Sequence, residues 1–258
     1  MMENSETPTA VPESAIDTAH SEPPPAPGRP APSRVSRLWR EWIRPFLIIL
    51  AIVGSFRSAF ADWNDVPTGS MIPTIVEGDR IFVNKVAYSL RLPFTKMHLT
   101  RWSTPERGDI VVFFSPDEDK RLVKRVVGLP GDRIELRQNH LIVNGELVRY
   151  EPIQNLGVDI GSSRRMHHAR FEKETLGDVE HPITLSPFQS PESSFGAQTV
   201  PEGHYFVMGD NRDNSRDSRY FGVVDQKLIV GQAVAVAFSL DRTQGFKPRW
   251  KRSFKKLI

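Results

Sequence analysis

Three regimes of hydrophobic and polar patterning follow one another along the 258 residues. Residues 1–36 contain no apolar run. They are rich in Pro, Ser, Thr, Ala and Glu, with Pro23, Pro24 and Pro25 as the extreme. Such a segment cannot bury enough apolar surface to offset its ordering entropy and is expected to be disordered. Residues 45–56 are then uncharged and mostly apolar, and the run reaches Ala61 if Arg57 is tolerated. As a helix, these seventeen residues would rise about 25 Å, a little short of a ~30 Å hydrocarbon core. From Asp65 on, the pattern becomes that of short β-branched runs bounded by Gly, Pro and Asp.

Strands are expected at residues 80–85, 109–114, 122–127 and 228–238. A meander is expected at residues 133–137, 141–143 and 146–149, its second turn marked by Asn144-Gly145, a strong hairpin signal. Residues 151–200 lose the alternation and read as polar and loop-rich, with Pro182, Pro187 and Pro191. From Phe246 the tail carries six Lys or Arg and no acid, interleaved with Phe246, Trp250 and Phe254.

Charge gives the apolar run a direction. Arg29, Arg34, Arg37, Arg40 and Arg44 precede it, and Asp62 and Asp65 follow. Trp39, Trp42 and Trp63 bracket it as interfacial anchors would. By the positive-inside rule the N-terminus lies in the cytoplasm and everything beyond Ala61 lies outside. No Ala-x-Ala pattern follows directly, so the run reads as a retained single-pass anchor; a buried amphipathic helix is the alternative. Globally, 34 basic against 31 acidic residues imply no nucleic-acid partner. The absence of cysteine excludes disulfides and thiolate metal sites.

Candidate chemistry narrows by elimination. Of the seven histidines only His20 precedes Ser70, and no Gly-x-Ser-x-Gly elbow surrounds that serine. No His-Glu-x-x-His is present, and adjacent His167 and His168 cannot face one ion from a strand. The acidic loop 209–219 (GDNRDNSRDSR) fails the calcium-loop pattern counted from Asp213, with Ser218 at the sixth position and Val224 at the twelfth. Its arginines alternate with its acids, which reads as an ion-paired loop. What remains is Ser70 in a constrained turn, Gly69-Ser70-Met71-Ile72-Pro73-Thr74, with a lysine as its base. That lysine needs a pKa lowered from about 10.4 toward roughly 7–8, which apolar neighbours can supply. Lys124 shares a strand face with Leu122 and Val126, and Lys85 shares one with Ile81 and Val83. Alternation alone does not choose between them.

Four segments in order, residues 67–74 (PTGSMIPT), 107–113 (RGDIVVF), 124–132 (KRVVGLPGD) and 209–219, together resemble the bacterial type I signal peptidases, or leader peptidases. The resemblance implies a membrane-bound serine endopeptidase with a serine–lysine dyad. It would cleave signal peptides from exported preproteins after small residues of Ala-x-Ala type, through an acyl-enzyme. It implies Ser70 as nucleophile and Lys124 as base, with Ser215 orienting the lysine amine. The Ser70 N–H and the Thr68 hydroxyl would hold the oxyanion. Arg125 with Asp210, and Asp217 with Arg219, would be structural ion pairs beside the site. No metal or cofactor is implied.

The implied fold is mainly β: a barrel-like catalytic core of residues 62–132 and 204–240, with an inserted β and loop region at 133–203. A Pro-rich cytoplasmic segment (1–36) and one transmembrane anchor (37–61) precede it, and a basic aromatic tail (241–258) follows. Partners would be the signal peptides of secretory preproteins and membrane lipids, with association with the export machinery left open. The location would be the bacterial cytoplasmic membrane, with the catalytic domain extracytoplasmic. Two rival readings exist. A self-cleaving serine–lysine repressor of related fold would need a helix-turn-helix before the protease. A non-catalytic single-span protein would carry an exported β domain.

Overall fold

The computed structural model describes residues 38–92, 95, 97–118, 120–155 and 168–257. The expectations for the Pro-rich lead, for Arg29, Arg34 and Arg37, and for His167 lie outside the described residues. The chain divides into two units, residues 1–48 and 49–258.

The apolar run is helical. A wide π turn, Trp39–Ile43, leads into the sixteen-residue helix Arg44–Ala59, with Arg44 N–H donating to the Trp39 carbonyl. Pro45 has no N–H with which to continue the i→i−4 ladder, so the wide turn ends just before it. Sixteen residues rise only about 24 Å. No helix among the described residues is long and apolar enough to cross a membrane, which corrects the expected span over residues 37–61. Arg40, Glu41 and Arg44 occupy the first turns, and the strand Ala61–Asp65 begins two residues after the helix ends.

The rest is mainly β. One antiparallel sheet runs in the order Ala61–Asp65, Asp79–Asn84, Ile229–Asp241, Ile110–Phe114, Arg121–Gly128, His204–Met208, Val224–Asp225. Its thirteen-residue strand, Ile229–Asp241, shifts register against both neighbours. Such bulges bend a strand and increase its twist, which curls the sheet. Both faces are covered. Ile110 and Val112 join Met71, Ile75 and Ile81 in one apolar cluster, whereas Val111 and Phe113 join Val126, Tyr205 and Val207 in another. A strand buried on both sides reads as an unbroken apolar run, which is why residues 109–114 were legible.

The region between the lysine strand Arg121–Gly128 and His204–Met208 is more regular than its sequence suggests. The meander forms as expected, with Asn144 and Gly145 at φ 56° and 90°, the backbone of a tight hairpin turn. Residues 151–200, read as loop-rich, contain Arg170–Leu176, Val179–Leu185 and Phe195–Thr199. Arg170–Leu176 pairs on both sides, with Arg149–Ile153 and with Val179–Leu185. Apolar alternation is missing there because charge does much of the pairing. Lys173 bridges Glu151 and Glu180, and buried Glu174 faces buried His181.

The basic tail folds back onto the sheet. Lys247–Pro248 and Lys255–Lys256 pair with the long strand, and Leu257 is buried in the first apolar cluster. Arg252 is 2% exposed and reaches Asp79 at 2.7 Å, and its guanidinium also donates to the Thr74 carbonyl at 3.1 Å. Removing one partner of a buried pair leaves the other charge uncompensated. Arg252→Ala is therefore expected to lower stability by about 3–5 kcal/mol, measured by denaturant unfolding of the full chain.

Candidate active site

The Ser70 turn is anchored from below and gripped from above. Below, Met71 is 1% exposed and packs into the core, Pro73 is buried, and Ile75 N–H donates to the Met71 carbonyl at 3.0 Å. The Ile72–Pro73 peptide is cis. Above, Asn211 donates its backbone N–H to the Ser70 carbonyl at 3.0 Å and its side-chain amide to the Gly69 carbonyl at 3.0 Å. Thr184, from the inserted region, donates its hydroxyl to the Ile72 carbonyl at 3.0 Å and its N–H to the Asp210 carbonyl at 2.8 Å. The approach is close enough that a Cβ on Gly209 would sit 2.5 Å from the Ser70 carbonyl oxygen. Only glycine fits there.

Lys124 comes from the middle of the lysine strand, 3% exposed, and its Nζ donates to Ser70 Oγ at 2.7 Å. Burial pushes its pKa down to about 8, opposed by the charges of Asp217 and Asp210 and aided by Arg219. Lys85 goes elsewhere, with its amine 3.3 Å from Asp62. The two lysines are led to different partners: one meets the serine, the other a carboxylate.

The acidic loop is an ion-paired frame. Arg125 holds Asp210 with two bonds of 2.9 Å and donates to the Gly108 carbonyl at 2.7 Å. Asp210 also accepts from the Thr74 hydroxyl, which ties the frame to the serine turn. Burial pushes the Asp210 carboxyl up, but the Arg125 guanidinium beside it prevails and holds it below the usual carboxylate range. Asp217 pairs with Arg219 at 2.8 Å and accepts from Gly209 N–H at 3.0 Å. A second buried pair, Glu174 with Arg212 at 2.5 Å, ties the loop to the inserted region.

Two predicted residues stand apart from these contacts. Ser215 is buried against Gly209, and its hydroxyl has no hydrogen-bond partner among the described residues, so it does not bond the Lys124 amine. Thr68 is exposed beside the turn. A cavity of about 1050 Å³ opens on the inserted region, lined by Arg133, Arg137, His140 and Tyr150 among others, and contains neither Ser70 nor Lys124.

A family model described as signal peptidase, peptidase S26, matches residues 39–238. The chain belongs to the S26 signal peptidase family. It is 39% identical over 211 residues to signal peptidase I of Pseudomonas aeruginosa, covering 77% of this chain and 72% of that one. Signal peptidase I of Aquifex aeolicus is 35% identical over 228 residues, covering 78% and 84%. A crystal structure of signal peptidase I from Enterococcus faecalis aligns with 50% of this chain at 33% identity and a TM-score of 0.31. Membership makes the chain a serine endopeptidase that cleaves signal peptides, and it removes the repressor and the non-catalytic anchor as readings.

Sequence reasoning passed over Asn211 and Thr184, which supply three of the bonds to the serine turn. Asn211 lies inside the acidic loop and was masked by its charged neighbours. Thr184 carries no local signal, because its role depends on a strand from a segment read as loop.

The buried amine costs stability. The Lys124 pKa falls to about 8 from 10.5. Below pH 8 both the folded and the unfolded chain carry its proton, so the burial penalty is fully present, roughly 3 kcal/mol. Between pH 8 and 10.5 the unfolded chain binds more protons, and stability rises with pH. Lys124→Met is expected to stabilise the fold by about 1–3 kcal/mol at pH 7. Unfolding measured against pH should show that advantage shrinking as pH approaches 10.5.

Proposed function

We propose that Ser70 and Lys124 are the catalytic dyad of this signal peptidase. The observation that carries the reading is the 2.7 Å contact between an amine 3% exposed and the hydroxyl of a constrained turn. Neutral Lys124 takes the Ser70 proton as Oγ attacks the carbonyl after a small residue of the signal peptide. The carbonyl oxygen becomes an oxyanion, held by the Ser70 N–H and the Thr68 hydroxyl. The Lys124 ammonium then gives its proton to the leaving amine as the peptide bond breaks, which frees the mature chain and leaves an acyl-enzyme. Water, deprotonated by Lys124, attacks the ester and releases the signal peptide.

The remaining loop residues hold this geometry. Asp210 with Arg125, and Asp217 with Arg219, keep the strand and loop in register around the amine. The buried, unpartnered Ser215 hydroxyl supports its role as a hydrogen-bonding group for the lysine once the amine is neutral. The reading needs no metal or cofactor.

The enzyme works at the cytoplasmic membrane. Phe46, Ile49 and Ile52 are exposed on the apolar helix, as a lipid-seated segment requires. Arg40 and Arg44 at the start of the apolar helix support an orientation with its N-terminal end toward the cytoplasm. Phe246, Trp250 and Phe254 project from the folded tail beside exposed Lys247, Lys251 and Lys255, which supports contact with anionic lipid.

The test is cleavage of a preprotein by the purified enzyme. Ser70→Ala and Lys124→Ala are expected to lower kcat by about 10³-fold or more, and Lys85→Ala to leave it within about threefold. Undiminished cleavage by either dyad variant would sink the mechanism. The wild-type pH–rate profile should rise with pH and level off above about 8, since the base must be neutral.

A further inference from the structure

The residue that grips the serine turn also sets the direction of the oxyanion donor. A trans peptide is planar, and its N–H points opposite to its C=O. The Gly69–Ser70 peptide is trans, and its carbonyl is held from two sides, by the Asn211 side-chain amide at 3.0 Å and by the turn's own Ile72 N–H at 3.2 Å. Its N–H, on Ser70, has no hydrogen-bond partner among the described residues. The next peptide plane is held as well, because the Ser70 carbonyl accepts the Asn211 backbone N–H at 3.0 Å. One residue, 4% exposed, therefore restrains both peptide planes that flank Ser70. Asn211 is itself held in place, since it forms a parallel bridge with Thr184 and follows Asp210, the partner of Arg125.

We propose that Asn211 is a positioning residue of the oxyanion hole: its side-chain amide, bonded to the Gly69 carbonyl, aims the unpartnered Ser70 N–H at the oxyanion. This rests on Ser70 as nucleophile. It adds a requirement that the dyad alone does not make. The amide touches neither substrate nor the reacting atoms and acts through a rigid plane. Without it the Gly69 carbonyl keeps only the longer turn bond, and the plane is free to rock. Loss of one oxyanion donor costs about 10²–10³ in kcat, so loss of its aim is expected to cost about 10- to 100-fold.

The experiment compares wild type with Asn211→Leu, which is near in size and has no donor, and Asn211→Ala. Both are assayed as full chain on a preprotein. A peptide aldehyde serves as a second probe, because its adduct with Ser70 carries the oxyanion. The expected result is a kcat lowered about 10- to 100-fold with KM within about twofold. Aldehyde affinity should fall by the same factor, while the ascending limb of the pH profile stays near 8 because the dyad is intact. Full kcat and full aldehyde affinity in both variants would overturn the proposal. So would a loss confined to KM, or one accompanied by a displaced pH limb, since either marks general disruption of the site. Ser70→Ala in the same assay separates the two readings. If it is inactive while the Asn211 variants are fully active, only the positioning role fails; if it is active, the dyad fails too.

Discussion

A lysine amine taken out of water and set against a serine hydroxyl is the contact on which the rest of this structure depends. In solution that amine would carry its proton almost completely at neutral pH and could not act as a base. Burial in the middle of the lysine strand shifts its pKa to about 8, a cost the fold must sustain through its core. The β-sheet, covered on both faces, provides the apolar surroundings, and the serine turn, rooted in the same core by Met71, provides the partner. Neither part would produce the chemistry alone.

Around this contact the buried carboxylates are each paired with an arginine. Asp210 is held by Arg125 and tied by Thr74 to the serine turn, Asp217 is closed by Arg219, and Glu174 is closed by Arg212. These pairs contribute little net stability, because desolvation offsets much of their attraction. Their value is geometric, since a buried bidentate pair has one arrangement and so fixes the loop that approaches Ser70. Arg252 extends the same logic to the tail, whose guanidinium closes Asp79 and caps the Thr74 carbonyl at the far end of the turn.

The elements legible in the chain were those whose burial follows a simple period. Residues 109–114 and 122–127 are apolar enough to announce strands, and Asn144-Gly145 announces its turn through backbone preference alone. The strands Arg170–Leu176 and Val179–Leu185 escaped because their pairing rests on Lys173, Glu174, Glu180 and His181, residues that look solvated when read singly. The tail escaped for a related reason. One arginine and one leucine, in a stretch that holds nine lysines, arginines and aromatics from Phe246 on, were enough to fold it back, and only the positions of Asp79 and the long strand reveal which ones.

By itself, the sequence determined the types of group available and the class of chemistry they permit. With no cysteine and no suitably placed histidine, a serine in a glycine- and proline-constrained turn was left with a lysine, because these are local properties of composition and spacing. What each lysine meets was decided by tertiary structure: Lys124, inside its strand, reaches Ser70, and Lys85, just past the end of its strand, reaches Asp62. Tertiary structure also decided the grip of Asn211 and Thr184 on the turn, because a hydrogen bond to a carbonyl more than a hundred residues away leaves no trace in the local pattern.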